Sequence, residues 1–266
     1  MGLATSHTKD WKYANMAERG FRTPTILCSD GAPPVLENSR RHYAYPVIDL
    51  FAGPGGLGEG FASVVDDKAR YRFRSAVAIE RDEFSHRTLL LRHFVRHFPE
   101  GEIPDEYYDF LAARISESEL FDLYPAAHRE AKSSALRISL GEESRTPVRA
   151  IIRDRLAGAK HWALVGGPPC QAYSLVGRSR MMGRPNFEKD ERHTLYLEYL
   201  RIIVDHKPPI FVMENVKGLL SATIEGKSAI SRIIRDLSEP GTAIPRGPRD
   251  LSYKLYSLSE EGQATG

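Results

Sequence analysis

The feature that most limits what this chain can fold into is a short apolar run, Val47-Ile48-Asp49-Leu50-Phe51, that passes at once into Ala52-Gly53-Pro54-Gly55-Gly56-Leu57-Gly58. The run has strand length, and Leu57 and Phe61, four apart, then share one face of a helix. Strand, glycine turn and helix in that order open an α/β sheet. Ligands bind such sheets at the carboxyl ends of the strands. Glycine lets the backbone take positive φ and come close to a ligand. The spacing is not that of a phosphate-binding loop, which ends in Lys-Ser/Thr, nor a clean dinucleotide fingerprint. A nucleoside-type cofactor without a bound phosphate chain fits better. A plain βα turn whose glycines serve packing is the alternative.

A second strand follows at Ser75-Ala76-Val77-Ala78-Ile79 and ends in Glu80-Arg81-Asp82. A carboxylate at that strand end can accept both hydroxyls of a ribose, and Glu80 comes about 24 residues after Gly56, near the usual interval. Arg81 and Asp82 would flank the nucleoside; a solvated strand end is the simpler reading of Glu80. His86, Leu89, Leu90 and Phe94 mark a helix with an apolar stripe. His93 and His97 are four apart on it, but no acid or cysteine follows at metal-ligand spacing. They are expected on the surface, and no metal is expected.

The surrounding chain sets the frame. Its 266 residues, 41% of them hydrophobic, suit one large α/β domain. Residues 1–44, with the turn-rich Asp30-Gly31-Ala32-Pro33-Pro34, read as an N-terminal extension, and 45–266 as the domain. Residues 99–160 exceed what a strand-helix-strand unit needs. Helical patterns at 104–111, 117–135 and 147–156 predict a helical insertion there. Two cysteines make no disulfide framework, and neither a membrane-length apolar run nor a signal peptide is visible. An intracellular, cytoplasmic location follows as the expectation. A net charge of +2 neither demands nor excludes a nucleic-acid partner.

Trp162-Ala163-Leu164-Val165 reads as a central strand, stopped by Gly166-Gly167-Pro168-Pro169 because proline cannot donate to a sheet ladder. Cys170 therefore sits at a strand's carboxyl end. A redox pair would want a second cysteine at CxxC spacing and a zinc site more cysteines. A lone nucleophile fits, with a structural cysteine as the alternative. The stretch after it is basic and glycine-punctuated, and Arg178, Arg180 and Arg184 are placed to touch phosphates if they are more than a solvated loop. Leu195 to Val204 has helical pattern. Ile210-Phe211-Val212-Met213 is another strand, ending in Glu214-Asn215.

These blocks closely resemble the cytosine-5 DNA methyltransferase family. The matching residues are Asp49 to Gly56, Gly167-Pro168-Pro169-Cys170-Gln171-Ala172-Tyr173-Ser174 and Glu214-Asn215-Val216, in the same order and strand context, over roughly Tyr45 to Leu220. The resemblance implies a Rossmann-like α/β fold with an open, mostly parallel sheet, and S-adenosylmethionine as methyl donor. It implies that Phe51, Ala52, Gly53, Pro54, Gly56, Leu57, Glu80, Arg81, Pro168 and Leu195 hold that cofactor. It implies Cys170 as nucleophile toward carbon-6 of a flipped cytosine in double-stranded DNA, and Glu214 as partner of ring N3 and the exocyclic amine. Pro169, Asn215, Gln171 and Ser174 would support them. Bacterial origin, association with the nucleoid and a restriction-modification role follow from the family alone, as does an RNA cytosine as the alternative substrate.

The family's acid near the adenine amino group has no assignable counterpart, and no Gln-Arg-Arg follows Val216. Tyr253 to Leu258 reads as a next strand, after which the chain stops short of the family's recognition region and closing blocks. Three expectations follow: a piece of a longer methyltransferase, a split enzyme whose second subunit supplies target recognition, or an inactive relative that binds cofactor or a partner as an adaptor.

Overall fold

The structure is a computed structural model that describes residues 44–99, 101–169, 191–214, 223–224 and 227–258. Five parallel strands form the sheet: β1 (Tyr45–Leu50), β2 (Phe73–Glu80), β3 (Ala135–Arg137), β4 (Ala163–Gly166) and β5 (Ile210–Met213), in the order β3-β2-β1-β4-β5. The helices are α1 (Gly56–Ala62), α2 (Glu83–Val95), α3 (Asp105–Leu111), α4 (Glu117–Leu123), α5 (Pro125–Ser134), α6 (Arg145–Leu156), α7 (Glu191–His206), α8 (Ala229–Ser238) and α9 (Pro240–Ala243). A two-residue ladder pairs β6 (Thr223–Ile224) with β7 (Lys227–Ser228), antiparallel. This is the Rossmann-like α/β architecture that the motifs imply.

β1 reads as a continuous apolar run because both faces of the sheet are covered. On one face Ile48, Leu50, Val77, Ile79 and Leu164 pack against Val148, Ile152 and Leu156 of α6 and Tyr199, Leu200 and Ile203 of α7. On the other, Val47, Ala163 and Val165 meet Leu57 and Phe61 of α1, and Ala78 meets Leu89 of α2. The chain moves outward from β1 through β2 to β3, then returns to place β4 on the other side of β1. Neighbouring connections diverge at the carboxyl ends of β1 and β4, which opens a crevice there.

Residues 99–160 differ from a purely helical segment. Helices α3 to α5 do gather around a small core of their own, in which Phe94 of α2 packs with Leu120, Phe121, Ala127 and Ala131. Ser116 caps α4 in a reciprocal box with Glu119. The same segment also supplies β3, which pairs with β2 over Ala78–Glu80, and α6, which covers the sheet. The far end of this segment is thus part of the sheet's own winding.

Two sequence expectations are corrected. Tyr253 to Leu258 adds no strand to the sheet of the described residues. Tyr253 instead packs edge-on against Phe211, centroids 5.0 Å apart, and its hydroxyl donates to the Pro208 carbonyl. His93 is not a surface histidine. It lies against Ser134 Oγ at 2.8 Å and Ser75 Oγ at 3.4 Å, and burial pushes its pKa down to about 4.

Candidate active site

The glycine turn is shaped by its surroundings. Gly55 caps α1 with φ 94°, a conformation that disfavours any side chain, and a Cβ there would meet Leu89 Cδ1 at 2.9 Å. Phe51 also takes a left-handed conformation, φ 55°, without being glycine. Such strain persists where neighbours enforce it, commonly at binding sites. Here it turns the chain out of β1 and sets Phe51 on the wall of a cavity of about 200 Å³.

That cavity lies at the carboxyl ends of the strands and is lined by Phe51, Ile79, Glu80, Arg81, Ile138, Leu140, Gly167, Pro169 and Leu195. Five of the residues marked out in the sequence therefore meet here: Phe51, Glu80, Arg81, Pro169 and Leu195. Glu80 is fixed by three backbone donors. Oε2 accepts from Gly53 N–H at 2.8 Å, and Oε1 from Arg81 and Asp82 N–H at 2.7 and 2.6 Å. Oε2 keeps a lone pair for a hydroxyl donor. Ile138 and Leu140 escaped sequence reasoning because β3 did. The alternation Leu136, Ile138, Leu140 was the available signal.

Other candidates stand around this cavity. Ala52, Gly53 and Pro54 form the turn itself and Gly56 opens α1, while Leu57 packs toward Val47 and Val165 in the core. Asp82 caps α2 by accepting from Ser85 N–H at 2.8 Å. Pro168 is buried beside the cavity's Gly167 and Pro169. Glu214 follows β5 and is exposed, and its N–H donates to the Gly166 carbonyl at 2.9 Å, which ties the end of β5 to the chain entering the cysteine loop. Cys170, Gln171, Ser174, Arg178, Arg180, Arg184 and Asn215 lie outside the described residues.

The sequence marks Asp49 only as an acid within an apolar strand. It is fully buried under the turn. Oδ2 accepts from Gly58 N–H at 3.2 Å, and Oδ1 has no partner among the described residues. Burial first, then the charges of Glu80 and Glu214, raise its pKa to about 7 against the opposing pull of the Gly58 hydrogen bond. Gly58 cannot carry a side chain without pressing on this carboxyl, because a Cβ would stand 2.9 Å from Oδ2.

The residues present fit a neutral or cationic nucleoside better than a phosphorylated one. Three carboxyl groups, Asp49, Glu80 and Glu214, surround the turn, and the apolar walls of Phe51, Ile138 and Leu140 suit an adenine ring. Among the described residues no group of three or more His, Cys, Asp or Glu side chains gathers to hold a metal, and no helix is long and apolar enough to cross a membrane.

Comparison with known proteins agrees with this architecture. Residues 131–242 match the model of the C-5 cytosine-specific DNA methylase family. The type II methyltransferase M.Bpa9945I of Bacillus paralicheniformis is 33% identical over 193 residues, which cover 66% of this chain and 41% of that protein. M.AquIA of a Picosynechococcus species is 30% identical over 73% of this chain and 56% of its own length. A DNA-cytosine methyltransferase of Escherichia coli is 30% identical over 79% and 38%. The chain thus spans roughly two fifths to just over half of these relatives. Together with the strand order and the crevice, the matches lead to one assignment: a domain of the cytosine-5 DNA methyltransferase family is present in this chain.

Proposed function

We propose that this chain is the catalytic portion of a DNA (cytosine-5-)-methyltransferase that uses S-adenosylmethionine and acts on a cytosine flipped out of double-stranded DNA. The observation that carries this reading is convergence. The glycine turn, Glu80, the Pro168-Pro169 approach to Cys170, and Glu214 all come to the carboxyl ends of adjacent strands. The family match lies across the last two of these elements.

When bound, the cofactor supplies an electrophilic methyl group on a sulfonium sulfur. Phe51, Ile138, Leu140 and Leu195 would enclose its adenine, and Glu80 would accept from a ribose hydroxyl through the lone pair left on Oε2. Ala52 to Gly56 would let the backbone approach its methionine end, with Arg81, Pro168 and Leu57 completing and supporting the wall.

The Cys170 thiolate would add to carbon-6 of the cytosine, forming a carbon–sulfur bond and moving electron density onto carbon-5. A protonated Glu214 would donate to N3 and its remaining oxygen would accept from the exocyclic amine, which stabilises the charge developed during addition. After carbon-5 takes the methyl group, transfer of its proton to a water molecule acting as base would return the electron pair to the ring, break the carbon–sulfur bond and release the thiolate. Pro169 would stiffen the approach to the base, Asn215 would hold the strand end, and Gln171 and Ser174 would contact the extruded nucleotide. Arg178, Arg180 and Arg184 would bind phosphates, and a second subunit or further chain would read the target sequence.

The test is covalent capture. Duplex DNA carrying 5-fluorocytosine in many contexts is mixed with the chain and S-adenosylmethionine; after methyl transfer the fluorine blocks loss of the carbon-5 substituent. A protein–DNA adduct of the expected intact mass, absent in Cys170→Ala, is the expected result. Parallel single-stranded RNA carrying the same base separates the two substrates. Cofactor binding with no adduct on either nucleic acid, even after a full-length relative's C-terminal half is supplied in trans, would overturn the proposal in favour of an adaptor.

A further inference from the structure

A second cavity, about 390 Å³, is not the crevice just described. It lies at the other end of the sheet. Arg74 and Ser75 at the start of β2 line it, whereas Glu80 at the end of the same strand lines the crevice. Six residues of extended chain separate Arg74 from Glu80, about 20 Å. The cavity exists because β3 is short. It pairs with β2 only over Ala78–Glu80, so no strand of the described residues lies beside the outer edge of Phe73 to Val77. The ends of α2, α5 and α6 close around this edge instead, contributing His93, Ser134 and Arg155 to the lining.

Its electrostatics are unbalanced. Arg74 is half-buried and makes no ion pair with any of the described residues. Its environment disfavours its charge, first through desolvation and then through the positive charge of Arg155. Arg155 spends one N–H on the Ser133 carbonyl and likewise has no carboxylate partner among the described residues. The third arginine on the wall, Arg96, is matched by Glu59 at 2.6 Å. Glu130 is the other carboxylate on the lining, and it pairs with neither Arg74 nor Arg155 among the described residues. His93 adds no charge near neutral pH, since burial keeps it neutral.

Two guanidinium groups that line one cavity, close enough for Arg155 to act on Arg74, would be stabilised by a planar or tetrahedral oxyanion that accepts from both forks. Tyr71, Phe73 and Phe98 on the same wall provide apolar surface beyond the arginines, in a volume well above that of a bare phosphate. We propose that this cavity is a second ligand site, which holds the phosphate group of a small molecule between Arg74 and Arg155, at the end of the sheet opposite the cofactor crevice.

The probes are inorganic phosphate and adenosine 5′-monophosphate, titrated into the 266-residue chain at constant ionic strength with chloride as control. Arginine Nε–H resonances of Arg74 and Arg155 report occupancy directly and need no variant. Both should shift saturably with phosphate, with the nucleotide binding more tightly if the aromatic wall is used. Equal affinity of the two probes would still support the anion site and would limit the ligand to the phosphate group. Arg155→Lys keeps the charge but loses the fork and should weaken binding about tenfold or more; the Arg74→Gln, Arg155→Gln pair should abolish it while far-UV circular dichroism stays unchanged. Unmoved arginine resonances, or shifts that chloride reproduces, would overturn the proposal without touching the assignment of the crevice.

Discussion

Replacing Asp49 by asparagine removes the one buried carboxyl that the strand under the glycine turn carries, and its effect on stability has a sign that can be worked out. Asp49 has a pKa of about 7 in the folded chain and 3.8 when exposed. Between those values the folded protein binds a proton that the unfolded chain has released, so stability falls as pH rises through this window and levels off above pH 7. That rise corresponds to roughly 4 kcal/mol of penalty at pH 8, and to about 2 kcal/mol at pH 5.5. The difference, about 2 kcal/mol, is what the substitution should erase. The asparagine amide is close in shape to the carboxyl and its carbonyl can still accept from Gly58 N–H, so the comparison isolates charge. Urea unfolding of both proteins at about pH 5.5, 6.5, 7.5 and 8.0, followed through the fluorescence of buried Trp162, gives the curves. The variant should gain on the parent by about 2 kcal/mol across that range. His93, whose pKa is lowered, steepens the loss of stability on the acid side equally in both proteins and cancels from the difference. Parallel profiles, with a constant gap across the whole range, would refute the reasoning, because they would mean that Asp49 is ionised throughout.

Two further outcomes follow from particular contacts. Glu80→Ala removes the acceptor for three backbone N–H groups as well as the proposed ribose contact. Affinity for S-adenosylmethionine, measured by calorimetry, should fall roughly 10- to 100-fold, the range for loss of charged hydrogen bonds; an unchanged affinity would remove Glu80 from the cofactor wall. Glu198 is buried on α7 and holds Arg145 and Arg201, each at 2.7 Å. Fully buried pairs cost about 3–5 kcal/mol when one partner is lost, but both arginines are partly exposed, so Glu198→Gln should destabilise by about 2 kcal/mol in urea. Raising salt should shrink that gap only slightly.

What the sequence disclosed was what local chemistry writes directly. The turn after β1 was legible because Gly53 and Gly55 are needed for positive φ, and β4 and β5 because apolar runs stop at prolines or acids. The crevice was legible for the same reason, since strand ends announce themselves. β3 was not, because three residues at a sheet edge carry too little periodicity to stand out from the helix that precedes them. Its loss hid Ile138 and Leu140 from the proposed adenine wall. Tyr253 to Leu258 looked like a strand, but Tyr253 serves packing, covering Phe211 at the sheet's edge, and Tyr256 is exposed. The arginine cavity could not be read at all. Arg74 and Arg155 lie far apart in sequence and meet only through the winding of the sheet.

The strand order also carries a consequence for the nascent chain. β1 finds β2 soon after synthesis, but its other edge waits for β4, in which Ala163 pairs with Val47 about 116 residues further along. At ~5–20 residues per second that interval is on the order of 10 s. Throughout it, Val47, Ile48 and Leu50 present an unpaired apolar edge that other chains can pair with. The helices α3 to α5, with their separate core around Phe94 and Phe121, can form during the same interval from local contacts. Misassembly of this protein should therefore concentrate at the centre of its sheet, in β1, until Trp162 to Gly166 arrives to close it.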